Sequence, residues 1–164
     1  VGSVFWVELL ADSSVTVAAS LPANEPPPAL WLDDERFLTQ DFLVKVQEVI
    51  KGESPRGASL LVRVPGGTHR FADKKFAVVA PVGFKQPEDG GLYVLFLKTK
   101  TKDSAFKGQR LVSEDQGLFA LTNGTVEPAD LTADDPVNVK YRKMSAATFL
   151  REIHKAVPRK SNKE

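Results

Sequence analysis

The stretch "ASLLVRVPGGTHRFAD", residues 58–73, decides the fold, because its apolar run stops at Pro65, Gly66 and Gly67. A glycine loop of this kind either opens a helix whose N-terminus cradles an anion, or turns one strand into the next. The residues after Gly67 decide between the two. Thr68, His69, Arg70, Phe71, Ala72 and Asp73 show no apolar recurrence at helical spacing. Pro65 has no N–H to give to a ladder, and the two glycines supply the backbone freedom of a corner. The stretch is a strand and a turn.

The same grammar repeats on both sides. Upstream, "ASLLVRV" (58–64) sets Leu60, Val62 and Val64 on one side. "DFLVKVQEVIKG" (41–52) sets Phe42, Val44, Val46 and Ile50 on one face with Lys45 and Gln47 opposite, and its β-branched content favours a strand. "SVTVAASL" (14–21) alternates through Val15, Val17 and Ala19. Downstream, 76–84, 91–100, 105–112 and 117–128 continue the pattern, and Asn123-Gly124 joins the two arms of a hairpin. Asn123-Gly124-Thr125 is also a glycosylation triplet, but the turn accounts for it. "SVFWVELL" (3–10) is open between a strand and a short N-terminal helix capped by Ser3.

Two segments break the alternation. Pro26, Pro27 and Pro28 bar a ladder, so 22–40 reads as a proline-rich loop insertion. At the other end Phe149, Leu150, Ile153 and Val157 fall on one helical face. Ser145 caps that helix (145–157), Met144 and Phe149 form a hydrophobic staple, and Pro158 ends it. Residues 158–164 form a charged tail. Strands at hairpin spacing without intervening helices make residues 1–157 one mainly β domain, an antiparallel barrel or a sandwich, with a C-terminal α-helix.

Composition narrows the functions. The 164 residues carry 22 Lys and Arg against 21 Asp and Glu, so the chain lacks the overall positive charge of a duplex binder. No apolar run approaches the roughly 20 residues of a membrane-spanning helix. The absence of cysteine removes disulfides, thiolate metal sites and a cysteine nucleophile. No nucleophile elbow, zinc-protease motif or phosphate loop is present. His69 and His154 are not at ligand spacing, and Asp33-Asp34-Glu35, Glu114-Asp115 and Asp134-Asp135 read as solvated turns. The expectation is a chain without enzyme activity, metal site or cofactor.

Binding is then the expected class. Trp31 and Phe37 in the insertion, with His69 and Arg70 beside the corner, are the candidate contacts for a protein or other macromolecule. Trp31 could equally fold back as a plug. Lys98, Lys100, Lys102 and Arg110 form an alternative basic stripe. Single-stranded nucleic acid would want stacking aromatics between such cations, and Phe106 is the one nearby. Lysines keeping a strand end unpaired and soluble is the plainer reading.

"ADSSVTVAASL", "VKVQEVIKG", "LLVRVPGG", "GGLYVLFLK" and "QGLFALTNGTVEP", in that order, give a resemblance over Ala11 to Pro128. The chain resembles a group of small bacterial exported domains of unassigned function. These are similar to the OB-like Greek-key barrel of netrin-like modules and tissue inhibitors of metalloproteinases. The resemblance implies a small OB-like antiparallel β-barrel in an extracytoplasmic setting, secreted or periplasmic, with any export signal ahead of Val1. It also implies protease inhibition as a further alternative by fold analogy. Those inhibitors reach the catalytic zinc through an N-terminal cysteine, and with no cysteine here that mechanism does not carry over.

Overall fold

A computed structural model describes residues 2–9, 15–18, 38–52, 57–70, 74, 76–79, 82–98, 109–111, 116–132 and 134–157. The fold is mainly β. Strands β1 (Gly2–Leu9), β2 (Val15–Ala18), β3 (Leu38–Lys51), β4 (Ser59–Pro65), β7 (Leu92–Lys98), β8 (Gln109–Leu111), β9 (Leu118–Thr122) and β10 (Thr125–Pro128) form one sheet. A separate two-stranded ribbon pairs β5 (Gly67–Arg70) with β6 (Phe76–Val79). Helices α1 (Pro136–Tyr141) and α2 (Ala146–Ala156) come after the last strand. None of the described helices is long and apolar enough to cross a membrane.

The main sheet curls on itself. β1 bonds antiparallel to β3 on one side and to β7 on the other, while β8 joins β7 antiparallel and β4 parallel. The expected barrel is met only as this curled sheet, not as an even closure. β8 is three residues long and holds each neighbour through two residue pairs.

Burial on both faces of β7 explains its nearly unbroken apolar run. Tyr93, Leu95 and Leu97 point into an inner core with Val7, Phe42, Val44, Val46, Val62 and Val64. Val94 packs on the opposite face with Val4, Ile50, Phe119, Phe149 and Ile153, beneath α2. A strand covered on both sides loses the alternation that a half-solvated strand keeps.

One open reading is resolved and two expectations are corrected. The N-terminal segment, open between helix and strand in the sequence, is a strand: its backbone groups pair with β3 on one side and β7 on the other. Ile50 does not share a face with Phe42, Val44 and Val46. The β1–β3 register shifts between Val4 and Phe5 and again between Trp6 and Val7, so Gln47 and Ile50 are extra residues on β3. Each bulge re-aims the side chains beyond it, and Ile50 lands in the outer core. Finally, the proline-rich insertion does not reach residue 40, since β3 begins at Leu38 and pairs there with β2.

Other features stand as read. Pro65 is the last residue of β4 to pair with β3, opposite Thr39. Gly66 and Gly67, with φ of 92° and 134°, carry the chain out of the main sheet into the ribbon. Asn123 and Gly124 both have positive φ, 50° and 78°, and Thr122 pairs with Thr125 across them. Ser145 caps α2 by accepting the Thr148 N–H at 3.2 Å.

Candidate functional site

A groove of about 730 Å³ lies between the two helices and the outer face of the sheet. Its floor is Val4, Phe96, Phe119, Phe149 and Ile153, with Tyr141 closing one side. Why it forms begins with local sequence. Asp135 caps α1 by accepting the N–H groups of Val137 (2.8 Å) and Asn138 (3.2 Å), and Pro136 occupies the first turn, where its missing N–H costs nothing. Asn138, buried, donates from Nδ2 to the Thr132 carbonyl at 2.9 Å, and Asp130 Oδ1 accepts the Thr132 N–H at 2.9 Å. These bonds hold α1 against the end of β10.

The link between the helices is tied to the sheet edge. The Val126 N–H donates to the Met144 carbonyl and the Lys143 N–H to the Val126 carbonyl, at 2.8 and 2.9 Å. β10 therefore has its outer edge occupied. From that anchor α2 crosses the sheet, with Phe149 and Ile153 inward and His154 Nε2 3.2 Å from Glu48 Oε1 on β3. The rings interlock: Phe119 lies 5.1 Å from Phe149 and 5.5 Å from Phe96, and Tyr141 lies 5.1 Å from Phe149. Such tilted and edge-on contacts are the favoured aromatic geometry.

The rim is charged and mostly positive. Lys51, Lys140 and Lys155 stand at its edge against one carboxylate, Glu152. Lys140 Nζ is 3.0 Å from Glu152 Oε2 and donates to Tyr141 Oη at 3.0 Å. The Tyr141 bond first, then Glu152, hold the Lys140 ammonium above its ordinary pKa. Among the described residues Lys51 and Lys155 have no ion-pair partner. A floor of rings and branched aliphatics below ammonium tips can take an apolar side chain while leaving a polar surround in water.

A second hollow, about 330 Å³, lies where β7 begins. Tyr93 dominates it. Its hydroxyl accepts the Glu88 N–H at 2.7 Å and donates to the Glu88 carbonyl at 3.3 Å. Burial raises its pKa above the ordinary phenol value. Gly91 is a glycine because a Cβ there would meet Tyr93 Oη at 2.5 Å. This corner organises the chain rather than offering free groups.

The residues expected from sequence scatter. Trp31, Phe37, Lys100 and Lys102 lie outside the described residues. His69 and Arg70 occupy backbone positions on the β5–β6 ribbon, and only their backbone is described. Lys98 is exposed at the end of β7 and pairs in register with Arg110 on β8, itself opposite Arg63 on β4. Asp41 engages Arg63 in a two-pronged pair at 2.6 and 2.8 Å. Among the described residues no group of three His, Asp or Glu side chains is placed to hold a metal ion.

The groove was not anticipated. The helical period of 144–157 picks out Phe149, Ile153 and Val157 as a buried face, but not that the face leaves an opening. Asp135-Pro136, with Val137 and Tyr141 four residues apart, is the signal that would have found α1 and hence the wall. No protein-family model, no curated protein and no solved structure matches the chain.

Proposed function

We propose that the chain is an extracytoplasmic, non-enzymatic binding module on an OB-like curled sheet, which takes a protein partner in the groove between α2 and the sheet. The observation that carries this is the groove itself: an apolar cleft in which half-buried Phe96, Tyr141 and Val157 and exposed Val137 meet solvent, with three lysines at the rim. Its size falls within the roughly 300–1,000 Å³ of ordinary ligand clefts. The OB-like reading is supported by the pairing of β1 with both β3 and β7 and by the parallel β4–β8 contact. The resemblance in strand and turn motifs supports the exported setting.

The test uses 1-anilinonaphthalene-8-sulfonate as a probe of the folded protein. Ala156 is exposed on α2 and lines the groove, so Ala156→Phe fills the opening without entering the core. Probe fluorescence should rise with the native protein and stay low with Ala156→Phe at unchanged melting temperature. Equal enhancement in both would count against the groove.

A second reading, single-stranded nucleic-acid binding, is supported by the register row Lys98, Arg110 and Arg63 across three adjacent strands. Asp41 offsets part of that charge. Oligonucleotide affinity at low salt decides it, since phosphate contacts are strongest there; binding no tighter than millimolar ends this reading.

A further inference from the structure

From the charge around the groove we infer its occupant: an acidic segment of a partner protein that buries one or two apolar side chains among the rings. The inference rests on the groove being the binding seat and goes on to name the partner's chemistry. Three observations converge.

First, the strands of the floor are already paired on both sides, β1 with β3 and β7, and β7 with β1 and β9. An incoming chain therefore finds no free N–H or carbonyl row to extend, and strand addition is closed to it. Recognition here has to run through side chains. Second, the floor is apolar: Val4, Phe119, Phe149 and Ile153 form its buried base, and half-buried Phe96, Tyr141 and Val157 with exposed Val137 present the apolar surface that meets solvent.

Third, the rim is unbalanced. Lys140 spends its charge on Glu152 at 3.0 Å, while Lys51 and Lys155 carry charges that no described residue offsets. Lys51 stands opposite Val4 in register, so this positive charge sits directly beside the floor. Ammonium groups beside a site that loses water on binding favour carboxylates and repel cations. Residues 158–164, Pro-Arg-Lys-Ser-Asn-Lys-Glu, follow in sequence but are polar, with three basic residues against one acidic, and suit neither floor nor rim.

The experiment measures fluorescence anisotropy with three labelled twelve-residue peptides. All carry a Leu and a Phe four positions apart, flanked by Glu in one, Gln in the second and Lys in the third. The Glu peptide should bind tightest and the Lys peptide weakest, with the difference shrinking as salt rises. Lys51→Glu/Lys155→Glu, at exposed positions, should weaken the Glu peptide by about tenfold and strengthen the Lys peptide. Ala156→Phe should abolish binding of all three.

Equal affinities that all vanish in Ala156→Phe would overturn the acidic partner and leave the groove standing as a seat. Failure of all three peptides to bind, while the sulfonate probe binds the native protein and not Ala156→Phe, would do the same. Binding untouched by Ala156→Phe would remove groove and partner together. A wild-type dimer that dissociates in Ala156→Phe would assign the groove to a second copy of the chain and likewise overturn the inference.

Discussion

Replacing Tyr93 by Phe isolates one hydroxyl at the corner where the chain enters β7. The ring stays, so no cavity opens, and the change removes one acceptor for the Glu88 N–H at 2.7 Å and one donor to its carbonyl at 3.3 Å. A hydrogen bond of this kind contributes a net of about 1 kcal/mol, and stranding its partner costs about 1–3 kcal/mol. Glu88 is exposed, so water can reach the freed N–H and the lower part of that range applies. The expected loss is about 1–1.5 kcal/mol in urea unfolding at pH 7. Alkali supplies an independent signature. Burial raises the folded phenol pKa above 10.0, so the neutral form stabilises the fold at all lower pH. That contribution is lost as pH rises past the unfolded value and through the folded one. The wild type should therefore lose stability above pH 10 faster than Tyr93→Phe, and the two curves should converge. In Tyr141→Phe, Tyr93 is the one remaining phenol, so tyrosinate absorbance reads its titration directly. A Tyr93→Phe protein as stable as wild type at pH 7, or with the same alkaline loss, would refute the reasoning.

Phe149→Ala removes a ring that is 1% exposed and touches Phe119 and Tyr141, and should cost about 3–5 kcal/mol by thermal or urea unfolding. Arg63→Met strands Asp41, whose side chain is 9% exposed, and should cost about 3 kcal/mol; Asp41→Leu in the same chain should restore most of it. Burial pushes Asp130 up, but the Thr132 N–H and hydroxyl, the Asn138 amide and the Arg142 charge together hold it below the usual carboxylate range. Its contribution is thus complete above the unfolded value of about 4 and is lost as pH falls through the folded one. The stability gap between wild type and Asp130→Ala should be full at pH 6 and narrow steadily in acid.

The strand pattern and the C-terminal helix were legible because each is a local signal. Alternation in 41–46 and 58–64 depends on which side faces the inner core, and Ser145 with the 149, 153 and 157 spacing depends on one helix. What the sequence left obscure depends on two elements at once. The bulges at Gln47 and Ile50 exist because β3 is wrapped by β1, and nothing within 41–52 announces them. β1 contributes Val7 to the inner core and Val4 to the outer one, so the apolar run of its sequence carries no single-face period to separate helix from strand. α1 was missed although Asp135-Pro136 marks its start, because a six-residue helix holds too few residues to establish a period. The groove is a gap between a helix face and a sheet face, and side-chain spacing along one chain does not measure the gap between two elements. Its lysines come from β3, α1 and α2, more than a hundred positions apart at the extremes, so they form no cluster in the sequence.

The account turns on where a partner docks, and methyl resonances read that directly. The Glu-flanked peptide, titrated into protein labelled at Val and Ile methyls, should shift Val4, Val137, Ile153 and Val157 and leave the inner-core methyls of Val46 and Val62 in place. The same titration of Ala156→Phe should leave all six unmoved. Shifts confined to Val78 and Val79 of the β5–β6 ribbon, with the four groove methyls silent, would contradict it.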